Sequence, residues 1–146
     1  MNRTSSSGAY LSYTQWFKNV IDEDIILCGT SSLELQDMFN GSSDEKTIEA
    51  YALIKGQYDN INYHIVNSFN DIECCTLHGI KCTTFNQTIN DMLSNDSLYD
   101  LWAITEALSN YYYSHNETFN DLIITEQNTE KFEAIKQDAI NYYNEG

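Results

Sequence analysis

The apolar residues change their spacing twice along the chain, and this limits the possible folds more than any other feature. Tyr10, Tyr13, Phe17, Val20 and Ile21 recur at helical intervals, with Trp16 beside them. Between Thr47 and Thr83 apolar and polar residues alternate, and from Thr84 onward the helical interval returns. A period of about 3.6 marks one face of a helix, and a period of two marks one face of a strand. Strands gathered in the middle with helices on either side predict an α+β fold rather than repeated βαβ units.

In detail, residues 1–9 read as a flexible tail and 10–146 as a single α+β domain, which suits a chain of 146 residues. The first helix is expected over 10–22. Ile25-Ile26-Leu27-Cys28 is an apolar run of strand length that ends at Gly29. Ser31 with Glu34 three residues on has the capping-box pattern, and Leu33, Leu35, Met38 and Phe39 give a second helix stopping near Asn40-Gly41. Residues 41–46 read as a surface loop.

Ile48, Ala50, Ala52 and Ile54 then alternate with Glu49, Tyr51 and Leu53. After a turn at 56–60, Ile61, Tyr63 and Ile65 alternate with Asn62, His64 and Val66. The segment 72–77, a His78-Gly79 turn and the segment 80–83 complete the region. These predict a central antiparallel β-meander of three to four strands, flanked by the N-terminal helices and a C-terminal helical tail. The alternation puts Ile65 on the buried face, so Ile65→Asp is expected to unfold the chain. Thr84 is placed to cap the next helix, with Gln87 at the capping-box position. A long helix is expected over about 97–113, a shorter one from Asn116, and a last one capped by Thr129.

Charge is the next constraint. Seven Lys and Arg face 22 Asp and Glu, a formal net charge of −15 with neutral His. Such a surface repels phosphates, so no direct nucleic-acid ligand is expected. It suits a basic protein. Asp22-Glu23-Asp24 is the densest acidic corner, and it reads as solvated. In Tyr111-Tyr112-Tyr113 successive side chains on a helix diverge by about 100°, so at least one ring is expected outside the core. Asp22, Glu23, Asp24, Tyr111 and Tyr113 are the candidate partner-binding residues.

Chemistry-bearing motifs are missing from the sequence. It holds no glycine-rich phosphate loop, no H-E-x-x-H, no EF-hand loop and no G-x-S-x-G. Glu73 and Lys81 are the nearest approach to a nuclease pattern, at the wrong spacing. Cys28, Cys74, Cys75 and Cys82 show neither a C-x-x-C pair nor a zinc spacing, and read as reduced thiols. No catalytic residue, metal ligand or cofactor is expected. No apolar run approaches membrane-span length, and no apolar leader core stands at the start, so no membrane association and a cytoplasmic location are expected.

One ordered set of residues resembles a known family. Thr30-Ser31-Ser32-Leu33 opens a helix, a β-rich middle follows, and the junction then runs Gly79, Ile80, Cys82, Thr83, Thr88, Ile89, Asp91, Met92, Leu93. This order resembles the C-terminal domain of AbiEi-family antitoxins, of type IV toxin–antitoxin, abortive-infection loci. The family's Glu-Arg before the threonine is Asn86-Gln87 here, and its N-terminal winged helix is expected to be absent. The resemblance implies structural roles for Thr30, Leu33, Gly79, Thr88 and Asp91, and a nucleotidyltransferase-like toxin as partner.

The reading that results is an acidic, non-catalytic protein-binding module that neutralises a basic partner, antitoxin-like, in phage defence. The alternative is a nucleic-acid-mimicking inhibitor of phage or mobile-element type. It would fill the basic groove of a host nucleic-acid enzyme such as a CRISPR or restriction nuclease. A third reading is an enzyme with cryptic carboxylates.

Overall fold

The computed structural model describes residues 24–40, 47–95 and 101–143. The helix expected over 10–22, the tail at 1–9 and the loop at 41–46 lie outside the described residues. The described elements run β1 (Ile25–Leu27), α1 (Gly29–Leu35), β2 (Ile48–Ala52), β3 (Ile61–Ile65), β4 (Cys74–Leu77), β5 (Ile80–Thr83), α2 (Phe85–Ser94), α3 (Leu101–Ser114), a 3-10 turn (Glu126–Asn128) and α4 (Thr129–Asn141). The class is α+β.

The sheet has five strands in the order β3-β2-β1-β5-β4, and it is mixed rather than an antiparallel meander of three to four strands. The short run at 25–27 is its central strand. It pairs antiparallel with β2 and parallel with β5. The physical reason is visible in its residues: all three are buried, because a strand covered on both faces needs apolar side chains on both. The β2–β3 pair is parallel, with Ile48 opposite Ile61 and Ala52 opposite Ile65. Residues 53–60 therefore carry the chain back along β2 instead of reversing it in a tight turn. They hold no two-residue hairpin signal, and their extended reach, about 3.3 Å per residue, exceeds the strand they must retrace.

The β4–β5 hairpin follows expectation. His78 and Gly79 both have positive φ, 54° and 80°, as a type I′ turn requires. Leu77 pairs with Ile80, and Cys75 with Cys82.

One sheet face carries Ile25, Leu27, Ile48, Ala50, Ala52, Ile61, Ile80 and Cys82, buried together. The other carries Ile26, Tyr51 and Thr83 and meets α2. A second core lies among the helices, where Leu33 of α1 joins Ile89, Met92 and Leu93 of α2, Ile104 and Leu108 of α3, and Phe132 and Ile135 of α4. Buried hydroxyls fasten the layers. Ser32 Oγ donates to the Thr83 carbonyl at 2.8 Å, Thr83 and Thr88 hydroxyls meet at 2.6 Å, and Gln36 Nε2 donates to the same carbonyl at 3.0 Å.

The C-terminal part departs from expectation in two places. The segment from Asn116 is not a helix, because Asn116 and Glu117 both adopt left-handed φ (59° and 58°), which ends the α3 turn. Thr129 is the first residue of α4 rather than its cap. Its neighbour Asn128 is buried, and its amide donates to Asn90 O at 3.1 Å, Ser94 Oγ at 3.1 Å and Thr125 Oγ1 at 3.0 Å, tying α4 to α2. Among the described residues no helix is long and apolar enough to cross a membrane.

Ile65 is 55% exposed, whereas Ile61, on the same face of the same strand, is 5% exposed. The alternation gave the right face, but β3 is an edge strand and Ile65 sits at its last position. The expected unfolding therefore moves: Ile61→Asp should abolish cooperative unfolding by urea, because it buries an unpaired charge. Ile65→Asp should shift stability by less than about 1 kcal/mol. Equal effects would contradict this placement.

Candidate functional site

The sequence candidates scatter. Asp22 and Glu23 lie outside the described residues, and Asp24 is exposed just before β1. Tyr111 does not belong to a contact surface: it is 6% exposed and stacks on Phe85 at 4.6 Å and on His115 at 3.8 Å between ring centroids. It falls on the same helix face as Ile104 and Leu108, which is why it is buried. Tyr113 is exposed, and its hydroxyl donates to the Ile140 carbonyl at 2.6 Å. Thr30 is half-buried in the first turn of α1, Leu33 is fully buried and Gly79 forms the hairpin tip. Thr88 and Asp91 share the face of α2 that looks onto the sheet, Thr88 bonding Thr83 and Asp91 bonding Tyr51.

Asp91 is the centre of a polar network. Tyr51 of β2 donates its hydroxyl to Asp91 Oδ2 at 2.8 Å, and Gln87 Nε2 donates to Oδ1 at 2.9 Å. The Tyr51 ring meets His64 edge-on at 6.1 Å, and His64 Nε2 lies 2.7 Å from Glu49 Oε1. Asn62 Nδ2 donates to the same Glu49 oxygen at 3.2 Å. At the other end, Gln87 Oε1 accepts the Glu73 backbone N–H at 2.9 Å. Thr84 caps α2, accepting the Gln87 N–H at 3.2 Å while donating its own hydroxyl to Glu73. The Gln87 side chain thus serves the network instead of closing a capping box. Burial pushes the Asp91 carboxyl above its ordinary 3.8, while the Tyr51 and Gln87 bonds and the His64 ring pull the other way.

Each oxygen of Asp91 already has a donor, and Glu49 is held by His64 and Asn62. The network positions strands against α2. Among the described residues no group of three or more His, Cys, Asp or Glu is arranged to hold a metal ion.

A second feature lies on the outside of the helical layer. From Trp102 to Tyr113 is about three full turns at about 100° per residue, so both sit on one face of α3, opposite Ile104 and Leu108. Trp102 is 67% exposed, and Leu101 beside it is also exposed. Tyr142, after α4, meets the Trp102 ring edge-on at 5.6 Å and donates to Glu106 Oε1 at 3.1 Å. Tyr143, 56% exposed, donates to Asn110 Oδ1 at 2.7 Å. Burial and then the Glu106 carboxylate hold the Tyr142 phenol above its ordinary 10.0, so it stays a donor at neutral pH.

Trp102 and Tyr143 both sit beside apolar stripes in the sequence. A helical wheel over 101–114 separates Trp102 from its own stripe, and that signal was present. Tyr143 follows the last turn, where the wheel no longer applies. The chain matches no known family model, and no curated protein matches its sequence.

The Asp91 network generates a pair of expectations. Tyr51→Phe should cost about 1–2 kcal/mol in urea unfolding, since it strips a half-buried carboxylate of one donor. Folded Asp91 binds its proton more tightly than unfolded Asp91. It therefore contributes stability at low pH that is lost as pH rises through the folded value. Asp91→Asn cannot titrate, so the stability gap should move in the variant's favour from about pH 4 upward and then level off. A gap independent of pH would contradict the burial of this carboxyl.

Proposed function

We propose that this chain is an acidic protein-binding module of the cytoplasm that neutralises a basic partner without catalysis, in the manner of an antitoxin. The observation that carries the reading is the outer face of α3, where exposed Trp102 and Tyr113 stand beside Tyr142, Tyr143 and Glu106. Trp and Tyr are the residue types that dominate binding energy at protein interfaces, and the Glu106 carboxylate beside them favours positive charge. The net charge of −15 adds long-range attraction for a basic surface and repulsion for nucleic acid. The partner class implied by the AbiEi resemblance, a nucleotidyltransferase-like toxin, fits this description. Asp24, with Asp22 and Glu23, would contribute to the acidic field.

The test is retention of bacterial proteins on the immobilised chain. Basic proteins should be held at low salt and released at high salt, since attraction between exposed charges is screened. The double variant Trp102→Ala/Tyr143→Ala should still fold and melt cooperatively, and bind roughly 30-fold or more weakly, the loss of at least one hot spot of about 2 kcal/mol. Retention unchanged in the double variant, or retention of nucleic acid instead of protein, would overturn the reading.

A further inference from the structure

Four thiols occur in the described residues, and two of them face each other. Cys75 and Cys82 are directly opposite on β4 and β5, with their sulfurs 3.8 Å apart. The tight turn at His78-Gly79 makes Leu77 and Ile80 a hydrogen-bonded pair. Alternation along an antiparallel ladder then makes Cys75 and Cys82 one too, and the Thr84 N–H to Glu73 carbonyl bond at 3.1 Å continues the same phase. In such a pair the Cα atoms stand about 5.5 Å apart, inside the range a disulfide spans. The two sulfurs, 3.8 Å apart, are already in contact. Cys74 is adjacent in sequence, but it points to the other face, opposite Thr83.

We propose that Cys75 and Cys82 form a dithiol modification site, closed to an intrachain disulfide by a low-molecular-weight disulfide such as oxidised glutathione. The half-buried Cys75 lies on the edge strand, where a small reagent reaches it, while Cys82 is buried. The Cys75 thiolate attacks one sulfur of the reagent, breaking its S–S bond. One glutathione leaves as thiolate and takes up a proton. The Cys82 thiol then loses its proton to solvent and attacks the Cys75 sulfur, expelling the second glutathione. Two protein thiols and one oxidised glutathione thus give one protein disulfide and two glutathione thiols, and two electrons pass from protein to reagent. Burial first, and then the neighbouring Cys75, push the Cys82 thiol up to about 12, so the second step is the slow one and quickens with pH.

The site is tested on the native chain with excess oxidised glutathione, followed by blocking of the remaining thiols, intact mass and peptide mapping. The expected product is a monomer with two thiols fewer to block, no retained glutathione and a Cys75–Cys82 linked peptide. It should form faster at about pH 9 than at about pH 7 and reopen in excess reduced glutathione. Cys74→Ser should keep the link. Cys75→Ser should lose it completely. A mixed disulfide that stays open, a link through Cys74 or Cys28, or an interchain dimer as the product of the native chain would overturn the proposal.

Discussion

Among the described residues, four carboxylates, those of Asp91, Glu73, Glu49 and Glu106, are held by hydroxyls, amides and an imidazole. Asp91 takes Tyr51 and Gln87, Glu73 takes Thr84, Glu49 takes His64 and Asn62, and Glu106 takes Tyr142 and the Asn40 N–H. A hydroxyl or an amide satisfies a carboxylate's lone pairs without cancelling its charge. The chain therefore positions these acids, and with them its strands and helices, while the field of its net charge of −15 remains. That field is the basis of the proposed attraction for a basic partner.

Uncharged side chains also join the layers. Ser32, Thr83, Thr88 and Gln36 lock α1 and α2 to β5, next to the central strand. Asn128 then fixes the start of α4 against α2. With α4 held, Tyr142 and Tyr143 are brought against Trp102, Glu106 and Asn110 of α3. An aromatic surface presented on packed helices keeps its geometry between free and bound states, which lowers the entropy cost of binding.

Much of this was legible in the residues. Alternation gave the faces of β2 and β3, His78-Gly79 gave the hairpin, and Thr84 gave the α2 cap. Local pattern could not give strand order. The run 25–28 declared itself a strand, and only its lack of polar residues on either face hinted at the sheet centre. Nothing in 53–60 distinguished a return crossover from a wide hairpin, because both need only a loop of sufficient reach. Ile65 was misplaced since periodicity reports a face and not a distance from the sheet edge. Among the tyrosines, the triplet at 111–113 divides as helix geometry demands, with Tyr111 inward and Tyr113 outward. The polar network was beyond sequence reach: Tyr51, His64 and Asp91 meet only through the parallel β2–β3 pairing and the docking of α2.

The central claim, that the acids are satisfied but not neutralised, is tested most directly by the salt dependence of stability. Urea unfolding would be followed at about 10 mM and about 500 mM sodium chloride, a range over which the screening length falls severalfold. If like-charge repulsion is unrelieved, the midpoint rises with salt while the slope stays constant, because screening relieves the folded state most. A midpoint that falls with salt would mean that attractive ion pairs hold the fold together, and that the negative field invoked for binding is largely spent within the chain.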